Sequence, residues 1–515
     1  MSTDDTYDKD EKHVAKVSVE PVSGEVRLER RFSFLSCLGL AFILLNSCTG
    51  ADTRLGLVFP AGGAVSVIWG CLVSAWGSSM SALSLAELCH VYPMVGGQYD
   101  WTYLIAPTRM KNSLSFLVGW CATAGWITLT ATDCGFNATF IQTIITMWSP
   151  QFDMKNWMTF LLFLAFGIGS FLLNTFGIRI LPAVEKSGFY WGVGGIVTVS
   201  VVLLACSHGN YRPAKQVFGE FTNVTGWPDG MAFLIGLLQS CLGLAGYDAV
   251  THVLEETPFP SRDGPRVIMW AVGLGAVTSW IFLVILVLVI KDLDKVITSP
   301  TGPLLEIYLQ ATRSPAGSTC LVLINLIAML YALQSVNTIA SRMLFTLSRD
   351  RGVARLSPYL APVHPTLKVP VWSLVAVFVC SIVLGTIYLG STVAFNAIAG
   401  SSMFFLNFSY IVPLVVLVIR GEKVFEGHPR RWTLGRWRRL VNLQGLAYLC
   451  LTSVVFLFPP ALPVTGKSMN YIIVVVVIVF TMSGLTWVFD GRKHFHGPSH
   501  IEERLMEGRR EPSMQ

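Results

Sequence analysis

Long apolar stretches alternate with short basic segments along almost the whole chain. Cutting the sequence at every Lys and Arg leaves eleven long intervals: 32–53, 55–108, 112–154, 156–178, 187–211, 216–261, 267–290, 314–341, 369–419, 440–466 and 468–491. A helix that crosses the roughly 30 Å hydrocarbon core of a bilayer needs about 20 apolar residues. Interval 369–419 is long enough for two helices and is divided near Gly390, so the pattern predicts twelve membrane-spanning helices.

The long, continuous runs favour helices over membrane β-strands, which would show strict alternation. Interval 55–108 predicts one span at about 64–88, followed by an amphipathic piece that contains Pro93 and Gly96-Gly97. The predicted fold class is therefore an all-α polytopic membrane protein. Its transmembrane domain is expected at 32–491, between a disordered N-terminal tail at 1–31 and a C-terminal tail at 492–515.

Basic residues are distributed unevenly between the predicted loops. With twelve spans both termini lie on one side, and that side carries 29 of the 37 Lys and Arg residues. Because basic residues accumulate in cytoplasmic loops, both tails are expected in the cytoplasm. The basic loop at 430–439 also suits anionic membrane lipids, although a plain topology signal is the simpler interpretation.

Composition narrows the class of protein. Of 515 residues, 53% are hydrophobic and 13% are charged, whereas soluble domains carry about 25% charged residues. This balance excludes a soluble enzyme, a disordered protein and a disulfide scaffold. The eleven cysteines show no metal-ligand spacing, and no nucleophile–base motif or phosphate-binding loop occurs. We therefore expect no enzymatic activity, no metal, no cofactor and no nucleic-acid partner.

Two predicted spans are interrupted by small and polar residues at mid-membrane depth. The interruptions lie at 46–52 in span one and at 239–248 in span six. Because five is an odd number, span six runs through the membrane in the opposite direction to span one. Interrupted helices at matching places of an inverted repeat are typical of secondary transporters, whose half-helix ends bind ions and charged solutes. Ordinary close packing through small residues is the alternative interpretation.

Charged residues within the spans are the candidates for chemistry. Asp133 stands out, because no basic residue lies between Lys111 and Lys155 and a carboxylate at that depth is costly. It is expected to bind a substrate ammonium or a coupling proton, with a hydrogen-bonded structural role as the alternative. Glu87 and Asp248 lie near the cytoplasmic ends of their spans, where gate or cap roles are favoured over a proton relay.

Other polar residues have mainly structural interpretations. His252 and Glu256 are four apart, which predicts a helix-end ion pair or cap rather than a metal site. Asn325 and Asn396 are interpreted as interhelical hydrogen bonds or as groups that line a cavity. The Asn-Val-Thr pattern at Asn223 lies in a predicted outer loop, so that asparagine is a candidate for glycosylation.

The stretch 246–265 reads GYDAVTHVLEETPFPSRDGP and resembles the end of span six in fungal amino acid/choline (GABA-permease-like) transporters of the amino acid–polyamine–organocation superfamily. Further segments that fit this group, in order along about 33–498, are 38–50, 87–101, 341–350, 394–397, 434–437, 458–460 and 469–471. Each segment alone is a weak match, but their order is specific to the group.

The resemblance implies a leucine-transporter-type core, with an inverted five-helix repeat in spans one to ten and two extra helices. It implies a solute held between broken spans one and six, usually with uptake driven by protons. The implied substrate contacts are Ser47, Thr49, Gly50, Gly243, Ala245 and Gly246, and the implied cytoplasmic gate contains Gly96 and Gly97.

Some positions depart from that group. Cys48 replaces a usual aromatic residue, and Asp52 and Arg54 replace small uncharged ones. Asp133 is not a position associated with the group. Some members of the superfamily carry a Lys in the membrane part of span five in place of a sodium ion, whereas Lys186 lies at the start of this span.

We expect a permease that moves an amino acid or related small amine across the membrane by alternating access, coupled to protons. The plasma membrane is the expected location, and the vacuolar membrane is the alternative. A choline or other quaternary-amine carrier is a second hypothesis, in which Trp126 or Tyr247 would add cation–π contacts. An exporter of a secondary metabolite and a non-transporting nutrient sensor are further alternatives.

Overall fold

The computed structural model describes residues 29–45, 55–56, 58–390, 392–428, 430–466 and 469–509. Its principal helices, numbered in chain order, are α1 Phe34–Leu44, α2 Gly63–Val91, α3 Lys111–Trp148, α4 Asn156–Phe176, α5 Leu181–Cys206, α6 Asp229–Gly243, α7 Pro260–Val289, α8 Pro315–Arg349, α9 Val371–Gly385, α10 Thr392–Arg420, α11 Arg438–Val455 and α12 Ile472–Thr486. Each predicted span contains one of these helices.

Shorter elements connect the principal helices. The short α-helices are Gln98–Ile105, Ala214–Gly219, Leu293–Thr298, Pro303–Thr312, Ser357–Leu360, Ile387–Gly390, Arg492–His494 and Ile501–Arg509. The 3-10 segments are Ala249–Glu256, Ala354–Leu356, Gly421–Phe425 and Gly435–Trp437, and Trp487–Gly491 is a π-helical turn. Across the described ranges, the only β pairing is an isolated bridge between Ala61 and Asn223.

Within the described residues, nine helices are long and apolar enough to cross a membrane. Two more, α1 and α6, are apolar but shorter, and α11 is not among the nine. Both short helices end where the sequence predicts an interruption, at Leu44 and at Gly243. The all-helical membrane class is therefore confirmed, whereas the count of twelve spans and the inverted repeat stay predictions.

Glycines let the helices approach closely, as small residues do between membrane helices. A Cβ on Gly39 of α1 would clash with the backbone oxygen of Glu185 in α5. A Cβ on Gly445 of α11 would lie 2.9 Å from the backbone nitrogen of Ser81 in α2. Helix α3, 38 residues long, packs extensively against α8 and α10, so its middle is buried at the centre of the bundle.

Both described termini lie at one end of the bundle, called the terminal face below. The backbone N–H groups of Arg31 and Phe32 donate to the carbonyl oxygen of Glu256, 2.9 and 3.0 Å away. The C-terminal helix Ile501–Arg509 is anchored by Arg504, whose guanidinium donates to Asp350 directly after α8. The predicted C-terminal tail therefore includes a helix that is docked on the bundle.

Candidate functional site

The predicted interruption of span six is present. Helix α6 ends at Gly243, residues 244–248 are not helical, and the chain continues as the 3-10 segment Ala249–Glu256. Gly246 has φ +81°, a conformation that glycine adopts without strain and other residues rarely adopt. A helix end leaves carbonyl groups without partners in the helix itself, so the break places polar backbone in the buried centre.

The ends of α1 and α6 lie side by side. A Cβ on Gly246 would lie 2.5 Å from Cδ2 of Leu44, the last residue of α1. A Cβ on Gly275 of α7 would lie 3.7 Å from Leu244 and 3.7 Å from Leu45. Because one glycine faces the chain directly after both helices, α1 and α6 end at the same depth in the bundle.

Trp126 of α3 forms another side of the break. Its ring is fully buried, and its Cη2 atom would lie 3.1 Å from a Cβ on Gly246. Its indole Nε1–H has no hydrogen-bond partner in the described part of the chain. Since buried donors are nearly always paired, this unpaired N–H makes Trp126 a candidate polar contact for a solute.

The implied substrate contacts divide into two groups. Gly243, Ala245 and Gly246 are buried at the break of α6, as the sequence predicts. The other contacts, Ser47, Thr49 and Gly50, lie outside the described residues, as do Cys48, Asp52 and Arg54. The structure therefore places the three implied contacts of α6 beside the end of α1, and the role of all six residues as substrate contacts stays a prediction.

Asp133 lies on α3, with 4% of its surface exposed. It follows Trp126 by seven residues, which places both on one face of the helix, about 10 Å apart along the axis. Because α3 begins near the terminal face, Asp133 lies farther from that face than the break does. Its predicted depth within the bundle is confirmed, and its role stays a prediction.

Asp248 joins several elements on the terminal-face side of the break. Its Oδ2 accepts a hydrogen bond from Nε2 of Gln98 at 2.5 Å and lies 3.0 Å from Nε2 of His252. Its Oδ1 accepts from the hydroxyl of Tyr410 in α10. The side chain makes no helix-cap hydrogen bond, so the cap interpretation of Asp248 is wrong.

The predicted gate glycines lie in a turn, residues 93–97, called the glycine turn below. Gly97 has φ +54°, and a Cβ there would lie 2.8 Å from Oγ1 of Thr251 and 3.3 Å from Cε1 of His252. The N–H of Gly96 donates to Asp100 at 2.8 Å. The glycine turn is therefore packed directly against the 3-10 segment, on the terminal-face side of the break.

Charged pairs fasten the 3-10 segment to α8 at the terminal face. Oε1 of Glu256 accepts from Nε of Arg342 at 2.9 Å, and both side chains are buried. Glu255 accepts from Arg349 at 2.7 and 3.2 Å. The predicted pairing of His252 with Glu256 is wrong, because His252 pairs with Asp248 and Glu256 pairs with Arg342.

The remaining candidates have structural contacts. Glu87 accepts from Arg438 of α11 at 2.9 and 2.8 Å, which agrees with a fixed contact near a helix end. Asn325 donates to the hydroxyl of Tyr308 at 2.9 Å, and the side chain of Asn396 is not described. Among the described residues, no group of three His, Cys, Asp or Glu could hold a metal ion.

Asn223, the glycosylation candidate, lies at the end of the bundle opposite the terminal face. Its amide Nδ2 donates to the carbonyl oxygen of Trp227 at 2.7 Å and to Asp229 at 2.9 Å. Its Oδ1 accepts from Thr225. Because both amide hydrogens are used in the folded chain, a glycan at this position requires attachment before this loop folds.

The helical bundle and its central broken helix define an integral, multi-pass membrane protein of the transporter class. A family model described as amino acid permease matches residues 35–480, so the chain belongs to the amino acid permease family. The predicted membership of the amino acid–polyamine–organocation superfamily is confirmed, and the chain is a secondary transporter.

Curated relatives match over most of their length. A protein of Saccharomyces cerevisiae named choline transporter is 32% identical over 94% of this chain and 85% of its own. A putative amino acid/polyamine transporter of Macrophomina phaseolina is 30% identical over 84% of this chain and 96% of its own. A transmembrane transporter of Metarhizium robertsii is 30% identical over 94% of this chain and 96% of its own.

Proposed function

We propose that this transporter moves an amino acid or a related small amine by alternating access around the break, driven by protons. The observation that carries the proposal is the backbone conformation of Gly246, with φ +81°. It bends the chain between the end of α1 at Leu44 and the buried indole of Trp126. Helix ends there offer carbonyl oxygens to an ammonium and N–H groups to a carboxylate. Two relatives are named for choline and for amino acids or polyamines, which are amine-bearing solutes.

In this proposal, the residues around the break have distinct roles. The substrate contacts are Ser47, Thr49 and Gly50 after α1, and Gly243, Ala245 and Gly246 at the break. Asp133 binds the amine or the proton from the side away from the terminal face. Gly96 and Gly97 form the gate on the other side, because their turn packs against the 3-10 segment.

The proposed topology has twelve spans, an inverted repeat of α1–α5 and α6–α10, and the terminal face in the cytoplasm of a plasma-membrane protein. The uneven distribution of 29 of 37 basic residues supports this orientation. A glycan on Asn223 would place the opposite end outside. Loss of a glycosidase-sensitive mobility shift in Asn223→Gln would support the orientation, and a shift that persists in this variant would place the glycan elsewhere.

Uptake by cells that express the protein tests the proposed substrate class. Labelled amino acids, γ-aminobutyrate, choline and polyamines are supplied at about pH 5 and about pH 7.5, with and without a protonophore. We expect saturable uptake that is faster at the lower pH and that collapses with the protonophore. No uptake of any of these solutes, with the protein at the cell surface, would contradict the proposal and favour an exporter or a sensor.

A quaternary amine is the second candidate, and the aromatic residues at the break favour it. The rings of Tyr247 and Tyr410 pack at a tilt of 33° with centroids 5.0 Å apart, and Trp126 lies on another side of Gly246. A quaternary ammonium has no N–H to donate, so it relies on aromatic faces. Competition separates the candidates. Unlabelled choline blocks uptake of a labelled amino acid if the two solutes share the site, whereas a quaternary-amine carrier takes up labelled choline and unlabelled amino acids do not block it.

Asp133→Asn tests the role of the buried carboxylate. We expect transport to be lost while surface expression is retained, because the amide removes the charge with almost no change in shape. The measurement is uptake of the best panel solute, normalised to surface protein. Asp153→Asn is the control, since Asp153 is exposed in the loop after α3. Unchanged uptake kinetics in Asp133→Asn would rule out the proposed role.

A further inference from the structure

One buried titratable pair has no part in the proposed substrate contacts. Asp248 and His252 are both fully buried, and Oδ2 of the first lies 3.0 Å from Nε2 of the second. The other imidazole nitrogen, Nδ1, lies 3.0 Å from the carbonyl oxygen of Val95 in the glycine turn. The pair therefore connects the break of α6 with the glycine turn.

A count of hydrogens fixes the proton content of this pair. The carbonyl oxygen of Val95 can only accept, so Nδ1 of His252 carries a hydrogen. Nε2 and the carboxyl oxygen of Asp248 also need one hydrogen between them, because two facing lone pairs would repel. That proton lies on one atom or the other, and in both cases the pair is neutral overall.

The described groups around the pair provide no other compensating cation. They are Gln98 from the short helix after the glycine turn, Tyr410 from α10, Trp126 from α3 and Tyr247 at the break. Within the described ranges, no Lys or Arg nitrogen lies within 4.0 Å of Asp248, and His252 is the one salt-bridge partner. Loss of the shared proton would therefore leave a net negative charge in a buried site.

We propose that Asp248 and His252 together form the proton-binding site that couples proton movement to solute transport. The proposal rests on the proposed function. When the proton leaves to water, its bonding electron pair stays on the nitrogen or oxygen that held it, and the pair changes from neutral to a charge of minus one. His252 then keeps one N–H for two acceptors, so it releases either Val95 in the glycine turn or Asp248 at the break.

This choice between two acceptors links the proton occupancy of the pair to the position of the glycine turn. Because Gly97 packs against His252 and Thr251, a shift of the imidazole moves the glycine turn. Thr251 in turn donates from Oγ1 to the backbone oxygen of Asp248 at 2.7 Å. Proton occupancy is thereby linked to the contact that closes the terminal-face side of the break.

The test uses full-length protein in liposomes that contain a pH-sensitive dye, with labelled choline and labelled γ-aminobutyrate as separate probes. Two rates are measured. One is exchange of labelled for unlabelled probe at equal pH, which needs no net proton movement. The other is net uptake under an inward proton gradient, together with acidification of the lumen. In the wild type, we expect the gradient to accelerate uptake and the solute to acidify the lumen.

His252→Gln keeps a side chain that can hydrogen-bond but cannot hold the shared proton. We expect it to retain exchange, to lose acidification, and to show the same net uptake with and without a gradient. Asp248→Asn removes the other half of the pair, so it repeats the test if one variant folds poorly. His90→Gln is the matched control, because His90 is half-buried, contacts the backbone oxygen of Ser261 and lies away from the break.

Three rival sites are tested by the same isosteric change. Asp133 is the alternative proton site of the proposed function, and Asp100 and Glu185 are the other fully buried carboxyl groups without a Lys or Arg partner among the described ion pairs. Retained acidification in His252→Gln, or its loss with exchange retained in Asp133→Asn, Asp100→Asn or Glu185→Gln instead, would overturn the proposal. An equal fall of exchange and net uptake in His252→Gln would show that the pair has only a structural role, and it would contradict the proposal. A wild type that carries neither these probes nor any other solute of the uptake panel would contradict the proposed function itself, and the coupling site with it.

Discussion

The two halves of broken span six are held in place by different forces. Helix α6 is packed by apolar side chains, including Leu237 and Cys241, against Met403 of α10 and Val455 of α11. The 3-10 segment Ala249–Glu256 is instead held by charged and hydrogen-bonded groups that reach α8, α10 and the glycine turn. Apolar contact is not directional, whereas each charged pair fixes one geometry. In the proposed transport cycle, opening the terminal face requires these pairs to separate, whereas the apolar contacts of α6 fix no single geometry.

Breaking the buried pair of Arg342 and Glu256 is expected to have the largest effect. Arg342→Met leaves a carboxylate buried without a partner, which costs about 3–5 kcal/mol of stability. The measurement is the melting temperature in detergent, together with the amount of folded protein. Adding Glu256→Gln in the same chain should restore most of the loss, because it removes the unpaired charge. A single variant that melts with the wild type would show that this pair does not lock the segment.

The second-largest effect is expected in the pH dependence of stability. Its source is Asp100, which accepts a hydrogen bond from Gly96 of the glycine turn. Burial, and then the charge of Asp350, raise the pKa of Asp100 from 3.8 to about 7, against the opposing effect of Arg504. The folded chain thus binds this proton more tightly than the unfolded chain, so stability falls as pH rises from about 4 to about 7 and is then constant. The slope is about 1.4 kcal/mol per pH unit.

Asp100→Asn removes this titration, so its melting temperature should fall less between pH 5 and pH 7.5 than that of the wild type. Asp153→Asn, at an exposed position, should behave as the wild type does. An unchanged pH dependence in Asp100→Asn would show that Asp100 is not the source of the effect.

A methyl group at the break is expected to act more on transport than on folding. Gly246→Ala places a Cβ 2.5 Å from Leu44 and forces alanine to φ +81°, which costs about 1–3 kcal/mol. We expect uptake to be lost while much of the protein still reaches the surface. Gly273→Ala in α7 is the control, because nothing lies within 4 Å of the added Cβ. Normal uptake by Gly246→Ala would show that the substrate does not bind at the break.

The smallest effect is expected in the apolar half. Leu237→Val in α6 removes one buried methylene, which costs about 1 kcal/mol. Leu237 is 1% exposed and faces Gly70 of α2. The melting temperature should fall slightly, and the response of uptake to a proton gradient should be unchanged. A loss of coupling in this variant would show that the two halves of span six do not act separately.

Local sequence patterns predicted the helices and the break. Each apolar interval is long enough to bury a helix, so the positions of α1–α12 follow from length and hydropathy. The break in α6 was predictable because Gly243, Ala245 and Gly246 are small and lie beside polar residues, which weakens a helix locally.

The pairing of the charged residues was not predictable from local spacing. Glu256 pairs with Arg342, which is 86 residues away along the chain, and this distance closes only when α8 packs beside the 3-10 segment. Local spacing offers His252 two carboxylates, each four residues away, and it binds Asp248 because Glu256 is held by Arg342 of α8. Tertiary packing therefore determines which carboxylates are free and which are paired.

The docked C-terminal helix bears on how the protein is labelled for experiments. Arg509 donates to the backbone oxygen of Val91 at 2.6 Å, and a Cβ on Gly508 would clash with the backbone oxygen of Pro93 in the glycine turn. A fluorescent reporter fused shortly after Arg509 would pull on the turn that contains the proposed gate glycines. Fusion before Glu29 leaves that contact untouched, so it is the better position for a reporter when flux is measured.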